Sequence, residues 1–188
     1  MNIFYLDDDP VVAAQLQCDK HVVKMIVETA QMLCTAHRVL DGALVMKQNK
    51  NGRQLKYWDL FEGSDDLEME MVLYKPAHVN HPSSIWCRET SANYQWLYDH
   101  FVALCDEYTY RYGKTHSTDI KLRQVLRNHP RNIKKGEQTV IPLAMKSNPE
   151  CMFPNDPIKS YRLFYQTKQE RFSMTWKYRD VPEWFNVR

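Results

Sequence analysis

Apolar positions recur along this chain in blocks whose spacing is helical more often than alternating. Between Asp19 and Asp41, the residues Val22, Ile26, Ala30 and Leu33 fall at i, i+4, i+8 and i+11. That is one stripe of a helix turned toward a core. Asp19 is the expected cap and Gly42 the expected left-handed stop. His21, Lys24, Glu28 and Gln31 share a different side of the same helix, within about 80° at roughly 100° per residue. Ahead of it, Asn2 to Leu6 is a short β-prone run, one strand or an extended lead-in. Asp9 followed by Pro10 has the form of an N-cap with proline at the first helical position, opening a short helix to about Gln17.

The helical period returns at Ser83 and persists to Tyr112 and Gly113, with a fresh cap near Thr90 and Ser91. Trp86, Asn93, Leu97, His100, Leu104, Glu107 and Arg111 share one face of it, half apolar and half ionisable. Such a face either fixes helix register through a buried polar network or floors a cleft. A shorter helix is expected from Ser117 or Thr118 to Asn128, before Pro130, and a last one from about Asp156 to Arg171 with Pro157 in its first turn. Residues 43–82 mix polar and apolar-acidic stretches without a clear period. Residues 129–157 carry prolines and little periodicity, which predicts a long wrapping loop, and the chain closes on Trp176, Tyr178, Trp184 and Phe185. The pattern predicts a mainly α protein: one compact helical domain over residues 1–188, with long irregular connections and little or no β-structure.

Composition narrows this further. At 188 residues a single domain buries roughly 70% of its unfolded surface, and five glycines argue against a turn-rich sandwich or barrel. Cys18, Cys34, Cys87, Cys105 and Cys151 are odd in number and form no C-x-x-C pair, so reduced thiols in a cytoplasmic setting are expected. The N-terminus has no basic region ahead of a long apolar run. No window approaches the roughly 18 apolar residues of a membrane span. Residues 1–110 hold 9 Lys and Arg against 16 Asp and Glu, net −7, and residues 111–188 hold 16 against 7, net +9. That asymmetry fits either a polyanion-facing surface or two halves that neutralise each other.

Four constellations carry candidate chemistry. His21, Lys24 and Glu28 put a carboxylate beside two nitrogen bases on one helix face, the elements of a general base, or else an ordinary i, i+4 surface pair. His78 and His81 offer two imidazoles to a metal, with a third ligand to come from His100, His116 or Glu28; no metal set is assigned. Asn93 with His100, Glu107 and Arg111 forms the third group. Lys121, Arg123, Arg127, Arg131, Lys134 and Lys135 form a candidate phosphate footprint, to which Arg88 and Trp86 are added as contacts for an unpaired nucleotide. There is no P-loop and no dinucleotide fingerprint, and no cofactor is expected.

Ile3 to Pro10, Cys18 to Glu28, Asn80 to Trp86, Asn93 to Leu97 and Glu107 to His116 are similar to a family of uncharacterised phage and bacterial helical proteins. More remotely, the order of elements resembles the pyrimidine-dimer DNA glycosylases of the endonuclease V type. The resemblance rests on an extended lead-in, a helix with His and Glu seven residues apart, a His-Pro segment and a helix ending in an acidic residue before an Arg-x-Gly-like turn. It implies attack of an N-terminal amine on the sugar carbon of a flipped nucleotide, with Glu28 supporting the Schiff-base chemistry and His21 accompanying it. The phage-type enzymes expose Thr after Met removal. Here Asn2 follows Met1, so Met1 itself is expected to supply the amine, and α-amines titrate near pH 8. His81 and Asn93 complete the candidate catalytic set, with DNA as partner and Trp86 or Trp96 receiving the base. Two other functions fit the residues: a non-catalytic nucleic-acid or host-protein binding module, and a metal-dependent hydrolase built on His78 and His81.

Overall fold

The computed structural model describes residues 1–187. Asp9 caps α1 (Pro10–Gln15) as expected, its side chain accepting from the Val11 and Val12 amides. The long helix α2 (Asp19–Asp41) follows, capped by the backbone of Cys18 and not by Asp19, whose carboxylate is engaged elsewhere. Val22, Ile26, Ala30 and Leu33 are fully buried along it. Gly42 ends α2 at φ −91°, outside the left-handed region expected of it. Glycine is needed there for a different reason, because a Cβ would lie 2.6 Å from the Arg38 carbonyl oxygen.

The unassigned stretch becomes an antiparallel hairpin, β1 (Ala43–Gln48) and β2 (Gln54–Asp59), registered Ala43 to Asp59 and Gln48 to Gln54. The short helices α3 (Leu60–Ser64) and α4 (Leu67–Val72) follow. Arg38, 1% exposed, joins this insertion to α2, bonding Glu70, Trp58, Tyr74 and Leu73. Asn2 to Leu6 pairs with no strand among the described residues, so the lead-in is irregular and not β. With only this ribbon of sheet among the described residues, the protein is mainly α.

α5 (Pro82–Cys87) and α6 (Ser91–Tyr112) divide at Thr90, whose hydroxyl accepts the Asn93 amide, and α6 stops at Gly113 with φ 63°. α7 (Ser117–Leu126), a one-turn 3-10 segment at Pro149–Cys151, α8 (Pro157–Gln166) and its 3-10 extension Thr167–Glu170 complete the chain. α2 and α6 pack along each other, with α1 laid across α6. One hydrophobic cluster runs through these elements from Ile3 to Phe185.

The mixed face of α6 turns toward α1 and the C-terminal tail, where its charges are paired and where Glu107 and Arg179 also line a separate open cavity beside Pro10 and Gln15. Arg111, 1% exposed, bonds Glu107 at 2.7 Å, Asp19 at 2.9 Å and the Gln15 carbonyl at 3.0 Å, while Arg179 reaches Glu107 from the tail at 2.9 Å. His100 donates from Nδ1 to the Pro10 carbonyl at 2.9 Å, and its Nε2 meets the Gln17 amide at 3.1 Å. The ionisable sides of α2 and α6 therefore do not share a hollow. The α6 set is a buried network whose members satisfy one another, as burial of charge requires.

Candidate active site

The first residues fold back onto α2 because of one short polar side chain. Asn2 Oδ1 accepts the amides of Ile3 at 2.8 Å and Phe4 at 3.0 Å, and its Nδ2 donates to the Ala144 carbonyl at 3.1 Å. The turn drives Phe4 to φ 55°, a left-handed backbone that costs a non-glycine residue on the order of 1 kcal/mol or more. The surrounding packing enforces it. Phe4 is 5% exposed, stacked on His21 with centroids 4.7 Å apart and set edge-on to Tyr165 at 5.0 Å.

This turn delivers the start of the chain to Glu28. The Asn2 amide donates to Glu28 Oε2 at 3.1 Å, the Met1 amine lies 3.7 Å from the same oxygen, and Lys24 Nζ holds Oε1 at 3.1 Å. The Met1 side chain, 1% exposed, is seated against α5, its sulfur accepting from the Ser84 hydroxyl at 3.3 Å. His81 caps α5 with Nδ1 on the Ser83 amide. Burial, the neighbouring Met1 amine and His78 all lower the His81 pKa, with Glu28 opposing them.

His21 is held by Tyr165, whose hydroxyl accepts the Cys18 amide at 2.8 Å and meets His21 Nδ1 at 2.8 Å. Since Cys18 N–H is a fixed donor, the tyrosine proton is assigned to Nδ1, which places the imidazole proton on Nε2. Burial first, then the charges of Lys24 and Lys168, push the His21 pKa down to about 4. It is therefore neutral near pH 7, and Glu28 is the carboxylate available for proton transfer.

Met1, Asn2, Phe4, His21, Lys24 and Glu28 form one wall of a cavity of about 250 Å³, and Ala144, Phe164, Lys168, Arg171 and Phe172 close the other. Lys168 Nζ stands 3.4 Å over the Phe164 ring, and Lys20 Nζ 4.8 Å over Phe172. Partial burial, then Arg171 and Lys24, bring the Lys168 pKa down to about 8 against the pull of Cys151 and Glu170. The C-terminal wall was not anticipated from the sequence. Phe164, Lys168, Arg171 and Phe172 fall at the spacing of any amphipathic helix end, so only the fold reveals what they face.

Other expected site residues are not brought here. Asn93 is fully buried, donating to the Trp86 carbonyl and Thr139 hydroxyl and accepting the Thr139 amide at 2.8 Å. These bonds tie α5 and the loop at Thr139 to α6. Trp86 is 2% exposed with its indole N–H on the Thr139 carbonyl, and Trp96 is 6% exposed with its own on the Asp8 carbonyl. Neither presents a face to a flipped base; Phe4, Phe164 and Phe172 are the rings at the cavity. Arg88 caps α5 through the Ser84 carbonyl.

The footprint read from residues 121–135 is divided in space. Arg123 is held by Asp119 and Asp106, and Arg131 by Asp66, while Lys121 lies over Tyr74. Arg127, Lys134 and Lys135 are exposed. The amides of Arg131 and Asn132 bond Asp41 at the far end of α2, roughly 20 Å from Glu28 at the helical rise per residue. Of the candidate metal imidazoles, His81 caps α5, His100 is bonded as above and His116 caps α7. Among the described residues no three His, Cys, Asp or Glu gather as a metal site. No helix among them is long and apolar enough to cross a membrane.

A family model for pyrimidine dimer DNA glycosylases matches residues 1–121. No curated protein and no solved structure matches the chain. The matched span carries Met1, His21, Lys24, Glu28 and His81 and ends before the second wall of the cavity. Because that match covers well over half of the chain, the protein belongs to the pyrimidine dimer DNA glycosylase family.

Proposed function

We propose that this protein is a DNA glycosylase with coupled lyase chemistry, acting on pyrimidine dimers in duplex DNA through the Met1 α-amine. The observation that carries the reading is the approach of that amine to Glu28, 3.7 Å apart at a cavity walled by aromatic and cationic side chains. In the reaction, the lone pair of the neutral amine forms a bond to C1′ of the damaged nucleotide. The bond from C1′ to the base breaks, and its electron pair leaves with the base, which takes a proton from water. The attached nitrogen gives a proton to Glu28, Glu28 passes it to O4′ as the C1′–O4′ bond breaks, and the nitrogen lone pair closes a protonated imine between Met1 and C1′. Glu28 then takes a 2′ proton, the C2′–C3′ double bond forms as the C3′–O bond breaks and the 3′ phosphate leaves, and water hydrolyses the imine to free the Met1 amine.

Glu28 suits both proton steps, since a positioned carboxylate within reach of the attacking nitrogen acts as general base. Lys24 orients it by holding Oε1, leaving Oε2 toward the amine. His21 is a positioning residue that stays neutral and keeps Phe4, and with it the chain start, in place. His81 bounds the amine from α5. DNA reaches the site with its damaged nucleotide turned out of the stack, as chemistry at C1′ inside a duplex requires.

The test is borohydride trapping on a duplex with one cyclobutane pyrimidine dimer. The full-length chain is expected to form a covalent adduct whose mass places the deoxyribose on the Met1 nitrogen. Glu28→Gln is expected to trap at least about 100-fold more slowly. Absence of adduct and of strand cleavage on this and other damaged duplexes removes the reading.

A further inference from the structure

We propose that Lys168 and Arg171 together hold one backbone phosphate of the DNA strand beside the attacked nucleotide, making the end of the C-terminal helix the backbone clamp of the cavity. The inference rests on the glycosylase reading of the same site, and both residues lie outside the span matched by the family.

Four cationic groups line this cavity, the Met1 amine, Lys24, Lys168 and Arg171, against the single carboxylate of Glu28. Glu28 is already shared by the amine and Lys24. Lys168 and Arg171 make no salt bridge among the described residues, whereas Arg38, Arg111, Arg123, Arg131, Arg162 and Arg179 each hold a carboxylate. An arginine and a lysine three residues apart, one of them half-buried and each repelling the other, are retained only against a cost in the empty protein. An anion entering between them relieves it.

The geometry selects a phosphodiester over a small carboxylate. Lys168 stands over the Phe164 ring at the cavity, and Lys20 stands over the Phe172 ring beside it, so cations and ring faces are paired on this wall. That arrangement tracks an unpaired strand, with cations on the phosphate and rings on the base. Met1 and Glu28 stand across the same cavity, so a phosphate on the C-terminal wall leaves its sugar directed at the amine.

The experiment measures binding of the full-length protein to a duplex carrying a single tetrahydrofuran abasic analogue, which can neither lose a base nor form an imine, as a function of salt. The double variant Lys168→Gln with Arg171→Gln is expected to bind more weakly and to flatten the slope of log K against log salt by about 1, the loss of one phosphate. The charge-conserving pair Lys168→Arg with Arg171→Lys is expected to keep the wild-type slope. An unchanged slope in the glutamine pair overturns the clamp. So does loss of the borohydride adduct in Lys168→Arg with binding intact, because Lys168 is then the attacking amine. Wild-type protein that shows the Lys168-dependent slope yet excises nothing upholds the clamp and removes only the glycosylase reading.

Discussion

Phe4 lies nearly parallel to His21, centroids 4.7 Å apart and rings inclined by 26°, and it reaches that position only by adopting a left-handed backbone. Phe4→Ala removes a buried ring and is expected to destabilise the fold by about 3 kcal/mol. Phe4→Gly removes the same ring but relieves the backbone. It is expected to be more stable than the alanine variant by about 1 kcal/mol, the reverse of the usual order. Urea unfolding of the two variants reads the difference directly, and an alanine variant as stable as the glycine one shows that the turn carries no strain.

Acid should unfold this protein through its histidines. Burial depresses His21, His37 and His100 to about 4, while an unfolded histidine titrates near 6.5. The unfolded chain therefore binds more protons between those values. The stability these groups lend is fully present above about pH 6.5 and is lost as pH falls toward about 4, on the order of 3 kcal/mol for each. Unfolding midpoints measured from pH 7.5 to 4.5 are expected to fall steeply below 6.5. A flat profile contradicts the burial of these rings.

Glu107→Gln leaves the guanidinium of Arg111, fully enclosed, with Asp19 as its remaining carboxylate. A loss of about 3–5 kcal/mol in thermal or denaturant stability is expected, as for other broken buried pairs. Because this network faces α1 and the tail, variant protein that remains folded should form the trapped adduct at the wild-type rate. A selective loss of adduct in a stable Glu107→Gln protein places the network in the chemistry instead.

Asn93→Ala and Glu28→Gln should part company. The first strands the Thr139 amide, whose partner is Asn93 Oδ1, costing on the order of 2 kcal/mol. The second leaves the unfolding midpoint near wild type and removes the chemistry. Equal stability with lost trapping in Asn93→Ala returns that residue to the catalytic set.

Much of the helical frame was legible along the chain, because local chemistry decides it. Asp9 with Pro10, Thr90 with Ser91, and Gly113 each mark a helix end by satisfying or ending backbone bonds within a few residues. The hairpin was not legible. Leu44, Met46 and Leu55 are exposed, so its strands lack the inward and outward alternation that a half-buried sheet imposes. The α2 half of the cavity could be read from His21, Lys24 and Glu28 on one helical face. The basic segment 121–135 does not converge on the cavity, and two of its cations, Arg123 and Arg131, are held by Asp119, Asp106 and Asp66, partners that adjacency in sequence does not reveal. The charges that do reach the cavity, Lys168 and Arg171, sit some 140 residues beyond Glu28.

That separation has a temporal side. A ribosome delivers the amine, the histidine and the carboxylate first, and the wall from Phe164 to Phe172 nearly last. A nascent or truncated chain thus carries the Met1 amine and Glu28 on an open shelf, without the aromatic and cationic residues that line the rest of the cavity. The cavity is completed only when residues 164–172 pack against the lead-in and α2.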